Sequence, residues 1–321
     1  MFIVLTSCDN VTENEIQKEQ EKANLGKNIG PLALEYLVKY VYYWDLEKYT
    51  PVSNKKLGIW MSYNTNLFST VRNYCGFSKV LVTSTTELQK AVTSGFSRGN
   101  ITGLIPHEES TWQQQIDSYG IIGAYYIDEP IERDEYTPQS INQIISYIRS
   151  TEGLINTAPF KIGSYKTGVT FVTQYWQVIF ANNNVFMMDD AYDGFWSGIM
   201  WWTDQRPHWT DFQNAYSVLN KSNWIHIEKD YSEYNGLLGH ANNLGLSEIW
   251  LYVNEFSEVE DHLNAFSDQA WKTDWLLKVE RKYRKEYRCY TKDCDLVANW
   301  QLYETVPLDE YRTVAYDQEQ N

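Results

Sequence analysis

The stretch Ala124-Tyr125-Tyr126-Ile127-Asp128-Glu129-Pro130 decides the fold. A short apolar and aromatic run ends abruptly in two carboxylates and a proline, which has no N–H to give to a β ladder. The segment Ile121–Asp128 therefore reads as a buried strand, and it is the fourth in a series. The others are Leu57–Tyr63, Lys79–Ser84, Ile101–Pro106, Phe160–Tyr165, Val185–Asp189, Trp224–Glu228 and Glu248–Val253. Between them lie Asn66–Phe77, Thr86–Phe96, Ser110–Tyr119, Ser140–Glu152, Asp211–Asn220 and Tyr231–Leu244, each long enough for a crossover helix. Strands alternating with helices imply a parallel sheet. Eight units are the number of a (β/α)8 TIM barrel, a fold of about 250 residues. Here it runs from about Leu57 to Phe266. The competing open sheet that binds nucleotides carries a Gly-rich turn after its first strand, and neither Gly-x-Gly-x-x-Gly nor the Walker pattern occurs.

Outside the barrel, Leu32–Leu46 reads as a helix that caps the barrel floor. Ala270–Arg288 reads as a charged helix, followed by a hairpin around Trp300–Val306. The expected α/β organisation is a polar tether over residues 1–28, a barrel with its preceding helix over 29–269, and a small annex over 270–321. The loop Asp193–Arg206, with Phe195-Trp196 and Trp201-Trp202, is either a substrate wall or an insertion packed on the barrel.

With 321 residues the chain has room for one large or two ordinary domains. At 43% hydrophobic and 21% charged residues it is globular in composition. Its formal charge of −15 argues against nucleic acids and anionic lipid as partners, because binding them requires concentrated positive charge. Aromatic residues make up 16%, with 13 Trp and 25 Tyr. Such rings either fill cores and surfaces or line sites for flat-faced ligands such as sugars.

No run approaches the ~18–20 apolar residues of a membrane-spanning helix. The chain begins Met1-Phe2-Ile3-Val4-Leu5-Thr6-Ser7-Cys8, and Leu5–Cys8 resembles the lipobox of bacterial lipoproteins. The resemblance implies lipid on Cys8 and an extracytoplasmic address, with the membrane met only through that anchor. Asp9–Asn28 has the composition of a solvated tether. Cys289 and Cys294 either close a small disulfide or stay reduced, and Cys75 is expected in a core. The five histidines, His107, His208, His226, His240 and His262, are scattered, so neither a metal site nor a cofactor is expected.

In a barrel of this kind the active site forms at the carboxyl ends of the strands. A buried strand gains nothing from ending in adjacent like charges unless each has a task or a partner. Asp128 and Glu129 are thus the first catalytic candidates, the alternative being that they cap the next segment or pair with a neighbouring cation. Consecutive side chains of a strand point to opposite faces, so both reach the mouth only if the extended run breaks at Asp128. Glu228, at the end of the seventh strand, is the third candidate. Hydroxyl ligands are sought in Tyr63, His107, Tyr165, Asp189 and Trp202. Asp189 also suits a helix cap, and the tyrosines also suit packing.

Glu129 after strand four and Glu228 after strand seven resemble the large superfamily of (β/α)8 glycoside hydrolases. That resemblance implies an acid/base Glu129 and a nucleophile Glu228. The family has Asn where this chain has Asp128. The run Tyr126-Ile127-Asp128-Glu129-Pro130 instead resembles hexosaminidase-type and β-N-acetylgalactosaminidase-like hydrolases. It implies that Glu129 is the acid while Asp128 orients the substrate's own 2-acetamido group. The expected function is hydrolysis of an oligo- or polysaccharide, and the alternative is a surface lipoprotein that only binds carbohydrate or protein on the same scaffold.

Overall fold

A computed structural model describes residues 36–61, 65–108, 110–130, 133–151, 159–164, 178, 182, 185–191, 222–227, 234–243, 245–253, 259–291 and 293–319. Two compact units share the chain. One comprises Met1–Glu47 with Val279–Val314, and the other Lys48–Lys278 with Ala315–Asn321. The strands are β1 (Leu37–Pro51), β2 (Lys56–Met61), β3 (Lys79–Val82), β4 (Ile101–Ile105), β5 (Ala124–Ile127), β6 (Phe160–Ser164), β7 (Val185–Ala191), β8 (Ser222–Ile227), β9 (Glu248–Val253), β10 (Leu276–Cys289) and β11 (Trp300–Val314).

The larger unit is mixed α/β with a curled parallel sheet. Each strand from β2 to β8 pairs in parallel with the next, and β9 pairs back onto β2, which closes the ring. The eight strands lie within a few residues of where the sequence places them, β2 to β6 ending sooner, β7 running on to Ala191 and β8 starting at Ser222. Helices α1 (Phe68–Asn73), α2 (Thr85–Thr93), α3 (Trp112–Tyr119) and α4 (Pro138–Thr151) follow β2 to β5, and α5 (Tyr234–Asn243) and α6 (Val259–Lys272) follow β8 and β9. The expected helix Asp211–Asn220 and the aromatic loop Asp193–Arg206 lie outside the described residues.

Local chemistry accounts for these helices. In α4, Pro138 occupies the first turn, where its missing N–H costs nothing, and Ile141, Ile144, Ile145 and Ile148 form one buried stripe. In α2, the Ser84 hydroxyl accepts from Glu87 N–H, and the Glu87 carboxylate accepts from Thr83 N–H at 2.6 Å. The first turn is closed from both sides.

Rings fill the barrel. Leu81, Tyr126 and Trp250 form a buried cluster against which Trp60, Leu104 and Tyr252 pack. Trp60 on β2 meets Tyr126 on β5 edge-on at 6.0 Å, and these strands are not neighbours, so the contact crosses the interior. Gly58 makes room for this filling: a Cβ there would lie 2.3 Å from the Trp250 indole.

Near the amino-terminal ends of the strands sits a buried ionic cluster. Glu248, which opens β9, is bonded to Lys79 of β3 at 2.5 Å, to Lys161 of β6, and to Trp250 Nε1 at 2.7 Å. Lys161 is 1% exposed, and its ammonium lies 4.3 Å from the Trp250 ring. Burial lowers the Lys161 ammonium to about 8 against the raising effect of Glu248. Burial works to raise the Glu248 carboxyl, but Lys161 and Lys79 together outweigh it and bring it down to about 2. Cys75 is buried, as its neutral side chain favours, and burial raises its thiol to about 11.

The smaller unit corrects two expectations. Leu32–Leu46 was expected to be helical, yet the chain is in β1 from Leu37. The run Val38, Tyr40, Val41, Tyr42, Tyr43 and Trp44 is β-branched and aromatic, and that preference outweighs the helix-like spacing of its apolar positions. Ala270–Arg288 was expected to be one charged helix. Instead α6 stops at Lys272, Asp274 turns the backbone with φ 63°, and the charged run becomes β10. The annex is accordingly not a C-terminal piece alone, since β1 pairs with β10 and β10 with β11.

The charges of β10 are used across the sheet. Arg288 lies over the rings of Tyr36 and Tyr303, Arg284 over Tyr40, Lys282 over Tyr42 and Lys285 over Tyr43. On the other side Arg281 pairs with Asp309, Lys282 with Glu310 at 2.8 Å, and Arg284 with Glu304. Arg288 meets Tyr36 and Tyr303 while Lys282, further back on β10, meets Tyr42 and Glu310, so both partners run antiparallel to β10. Cation–ring contacts and ion pairs thus take the place of a hydrophobic layer. The structure joins Cys289 and Cys294 in a disulfide, with Cα atoms 5.9 Å apart.

Candidate functional site

The carboxyl ends of β4 and β5 carry the site. Ile105 is in register with Ile127, so Pro106-His107 and Asp128-Glu129 leave the sheet side by side. The extended run ends at Ile127, and Glu129 adopts φ 44°, a left-handed conformation uncommon for a residue with a side chain. That break answers the pointing problem of two consecutive strand residues: Asp128 and Glu129 are both buried, at 6% and 4% exposure, and a single side chain grips both.

The gripping side chain is Arg133. Its Nη2 donates to Asp128 Oδ2 at 3.0 Å and its Nε donates to Glu129 Oε2 at 3.1 Å. A turn folds it back, with Arg133 N–H donating to Glu129 C=O, and Glu135 and Tyr136 N–H donating to Pro130 C=O. Asp134, with φ 57°, is the second left-handed residue of this turn. Tyr136 pins the turn to β4 by donating to Pro106 C=O at 2.7 Å.

Below the carboxylates, the Tyr126 hydroxyl donates to Asp128 Oδ1 at 2.7 Å. Beside them, His107 Nε2 lies 4.0 Å from Asp128 Oδ2, while its Nδ1 is hydrogen-bonded to Glu135. The cluster therefore has two buried carboxylates, one guanidinium touching both, and an imidazole held by a third carboxylate. Charge-assisted bonds of this kind are short and directional, so the two acids are held in fixed positions. Among the described residues no group of three or more His, Cys, Asp or Glu is arranged to hold a metal ion.

Of the residues singled out from sequence, Asp128, Glu129 and His107 come together. Asp189 lies on β7 in register with Ser164 of β6 and Trp224 of β8. Tyr63, Tyr165, Trp202, Glu228 and Cys8 lie outside the described residues. Sequence reasoning missed Arg133, Glu135 and Tyr126 as members of the cluster. Only Tyr126 carried a signal, since it stands two residues before Asp128 and so shares its face of the strand.

Fold and rim together define a mixed α/β protein, TIM-barrel-like, with a charged cluster at the carboxyl end of its sheet. Similar solved structures include a citrate lyase from Burkholderia xenovorans LB400 (8% identity, 68% of this chain and 78% of that one, TM-score 0.47). The glycoside hydrolase Cel5A of Thermotoga maritima, solved with mannotriose, is 14% identical over 66% of this chain and 97% of its own, with TM-score 0.44. An N-acetylneuraminate lyase from Proteus mirabilis is 10% identical over 70% and 81%, with TM-score 0.40. These likenesses bear on neither substrate nor chemistry. No family model matches the chain, and no curated protein matches it in sequence. Among the described residues no helix is long and apolar enough to cross a membrane.

Proposed function

We propose that the protein is a glycoside hydrolase built on a complete (β/α)8 barrel. Glu129 is its proton donor. The observation that carries this reading is the pair of buried acids, Asp128 and Glu129, at the carboxyl end of β5, with Glu129 in a left-handed conformation. Backbone strain of this kind costs of order 1–3 kcal/mol and clusters at functional sites.

In the proposed reaction Glu129 gives its proton to the glycosidic oxygen. The bond to the anomeric carbon breaks, and the departing oxygen keeps the electron pair. As that bond breaks, the carbon is taken by a nucleophile, either the substrate's own 2-acetamido oxygen oriented by Asp128 or the Glu228 carboxylate. Water then gives a proton to Glu129 and its hydroxide to the carbon, and the bond to the nucleophile breaks, its electron pair returning to the nucleophile. His107, Tyr63, Tyr165, Asp189 and Trp202 are assigned to the sugar hydroxyls and ring faces, and Cys8 to a lipid anchor that keeps the enzyme extracytoplasmic.

The test is Glu129→Gln on a panel of chromogenic glycosides with and without a 2-acetamido group. Hydrolysis is expected to fall at least 100-fold with the melting temperature unchanged, and an unaltered rate rejects the assignment. One observation favours a second reading, a barrel that binds glycan without cleaving it. The Arg133 guanidinium sits 3.0 Å from Glu129, on the carboxyl group that a general acid must present to its substrate. Retention of a glycan by a chain that cleaves none of the panel selects that reading.

A further inference from the structure

The position of Arg133 names the substrate class. A guanidinium needed only to neutralise one strand-end acid has no reason to span two. Here one Arg133 nitrogen, Nη2, lies 3.0 Å from Asp128 and 3.0 Å from Glu129. The two carboxylates it grips are buried, yet the Arg133 side chain is 41% exposed, and it stands at the carboxyl rim, where substrate enters. The half-exposed His107 lies beside it on the same rim, its Nε2 4.0 Å from Asp128. The rim thus presents the Arg133 guanidinium to solvent above the two buried acids, with Asp134 and the His107–Glu135 pair beside it.

We propose that the site takes sugars bearing a carboxylate, of the uronic-acid type, and that Arg133 receives that carboxylate. The inference rests on the hydrolase reading above. Guanidinium and carboxylate match as planar forks, so a substrate carboxylate competes directly with Asp128 and Glu129 for the same donors. Its arrival draws the guanidinium off Glu129 and leaves that carboxyl free to face the glycosidic oxygen. Recognition and activation are then one event: the resting ion pair silences the acid until an anionic sugar displaces it. Neutral sugars, which offer no counter-charge, leave Arg133 where it is.

The experiment compares kcat/KM on 4-nitrophenyl glucuronides and galacturonides with the matching neutral glucosides and galactosides, in the wild type, Arg133→Met and Arg133→Lys. Expected is a preference for uronides of at least 100-fold, with KM for uronides raised at least tenfold in Arg133→Met. Arg133→Lys, which keeps the charge and loses the fork, falls between the two. Neutral glycosides cleaved as well as uronides overturn the inference while leaving the hydrolase reading standing, as does an equal loss on both series in Arg133→Met. Calorimetric titration with free glucuronate supplies a readout independent of turnover. Binding lost in Arg133→Met supports the inference even in a chain that cleaves nothing, and absence of binding to the wild type overturns it.

Discussion

Replacing Glu248 by Gln tests the buried cluster at the amino-terminal end of the sheet. The change keeps the shape of the side chain and removes the negative charge that Lys79 and Lys161 share. Lys79 can turn toward solvent, but Lys161, at 1% exposure, cannot. Removing one partner of a buried pair costs about 3–5 kcal/mol, because the remaining charge is left without compensation. For a unit of this size each kcal/mol moves the melting point by about 2–4 °C, so a fall of roughly 6–20 °C is expected. The assay is urea and thermal unfolding followed by tryptophan fluorescence. Adding Lys161→Met to Glu248→Gln is expected to restore most of the loss, since the orphaned ammonium is then gone. The sign with pH follows from the lowered carboxyl. Its folded value of about 2 lies below the ordinary 4.5, so its contribution is full above pH 4.5 and disappears as pH falls towards 2. Glu248→Gln should lack this acid limb. A loss below 1 kcal/mol, or an unchanged acid limb, would refute the reasoning.

Two further changes probe the interior and the rim. Gly58→Ala sets a methyl group 2.3 Å from the Trp250 ring and should cost about 1–3 kcal/mol by overpacking, read as a lower urea midpoint; an unchanged midpoint would mean that the indole moves freely. Tyr126→Phe removes the buried donor to Asp128 Oδ1 and should cost about 1–3 kcal/mol together with a lower hydrolytic rate, measured on the most active glycoside of the panel.

The parallel sheet was legible because each strand is a short apolar run set between segments of helical length, and β5 announces its own end in Asp128-Glu129-Pro130. The smaller unit was not. A run such as Lys278–Arg288 has the charge density of a solvated helix, and only partners remote in sequence, Tyr36 to Tyr43 on one side and Glu304 to Glu310 on the other, make it a strand. The site divides the same way. Asp128, Glu129 and His107 follow from strand ends and their register, whereas Arg133 and Glu135 reach the cluster through left-handed turns at Glu129 and Asp134, and neither of those residues is the glycine that usually marks such a turn.

The three-stranded sheet of β1, β10 and β11 hides little hydrocarbon and is laced by rings and charges. Heat capacity on unfolding comes chiefly from newly wetted apolar area and is reduced by polar area. This element therefore adds little to the curvature of the stability profile, and its grip changes slowly between cold and warm water, where an oil-like core would weaken on chilling.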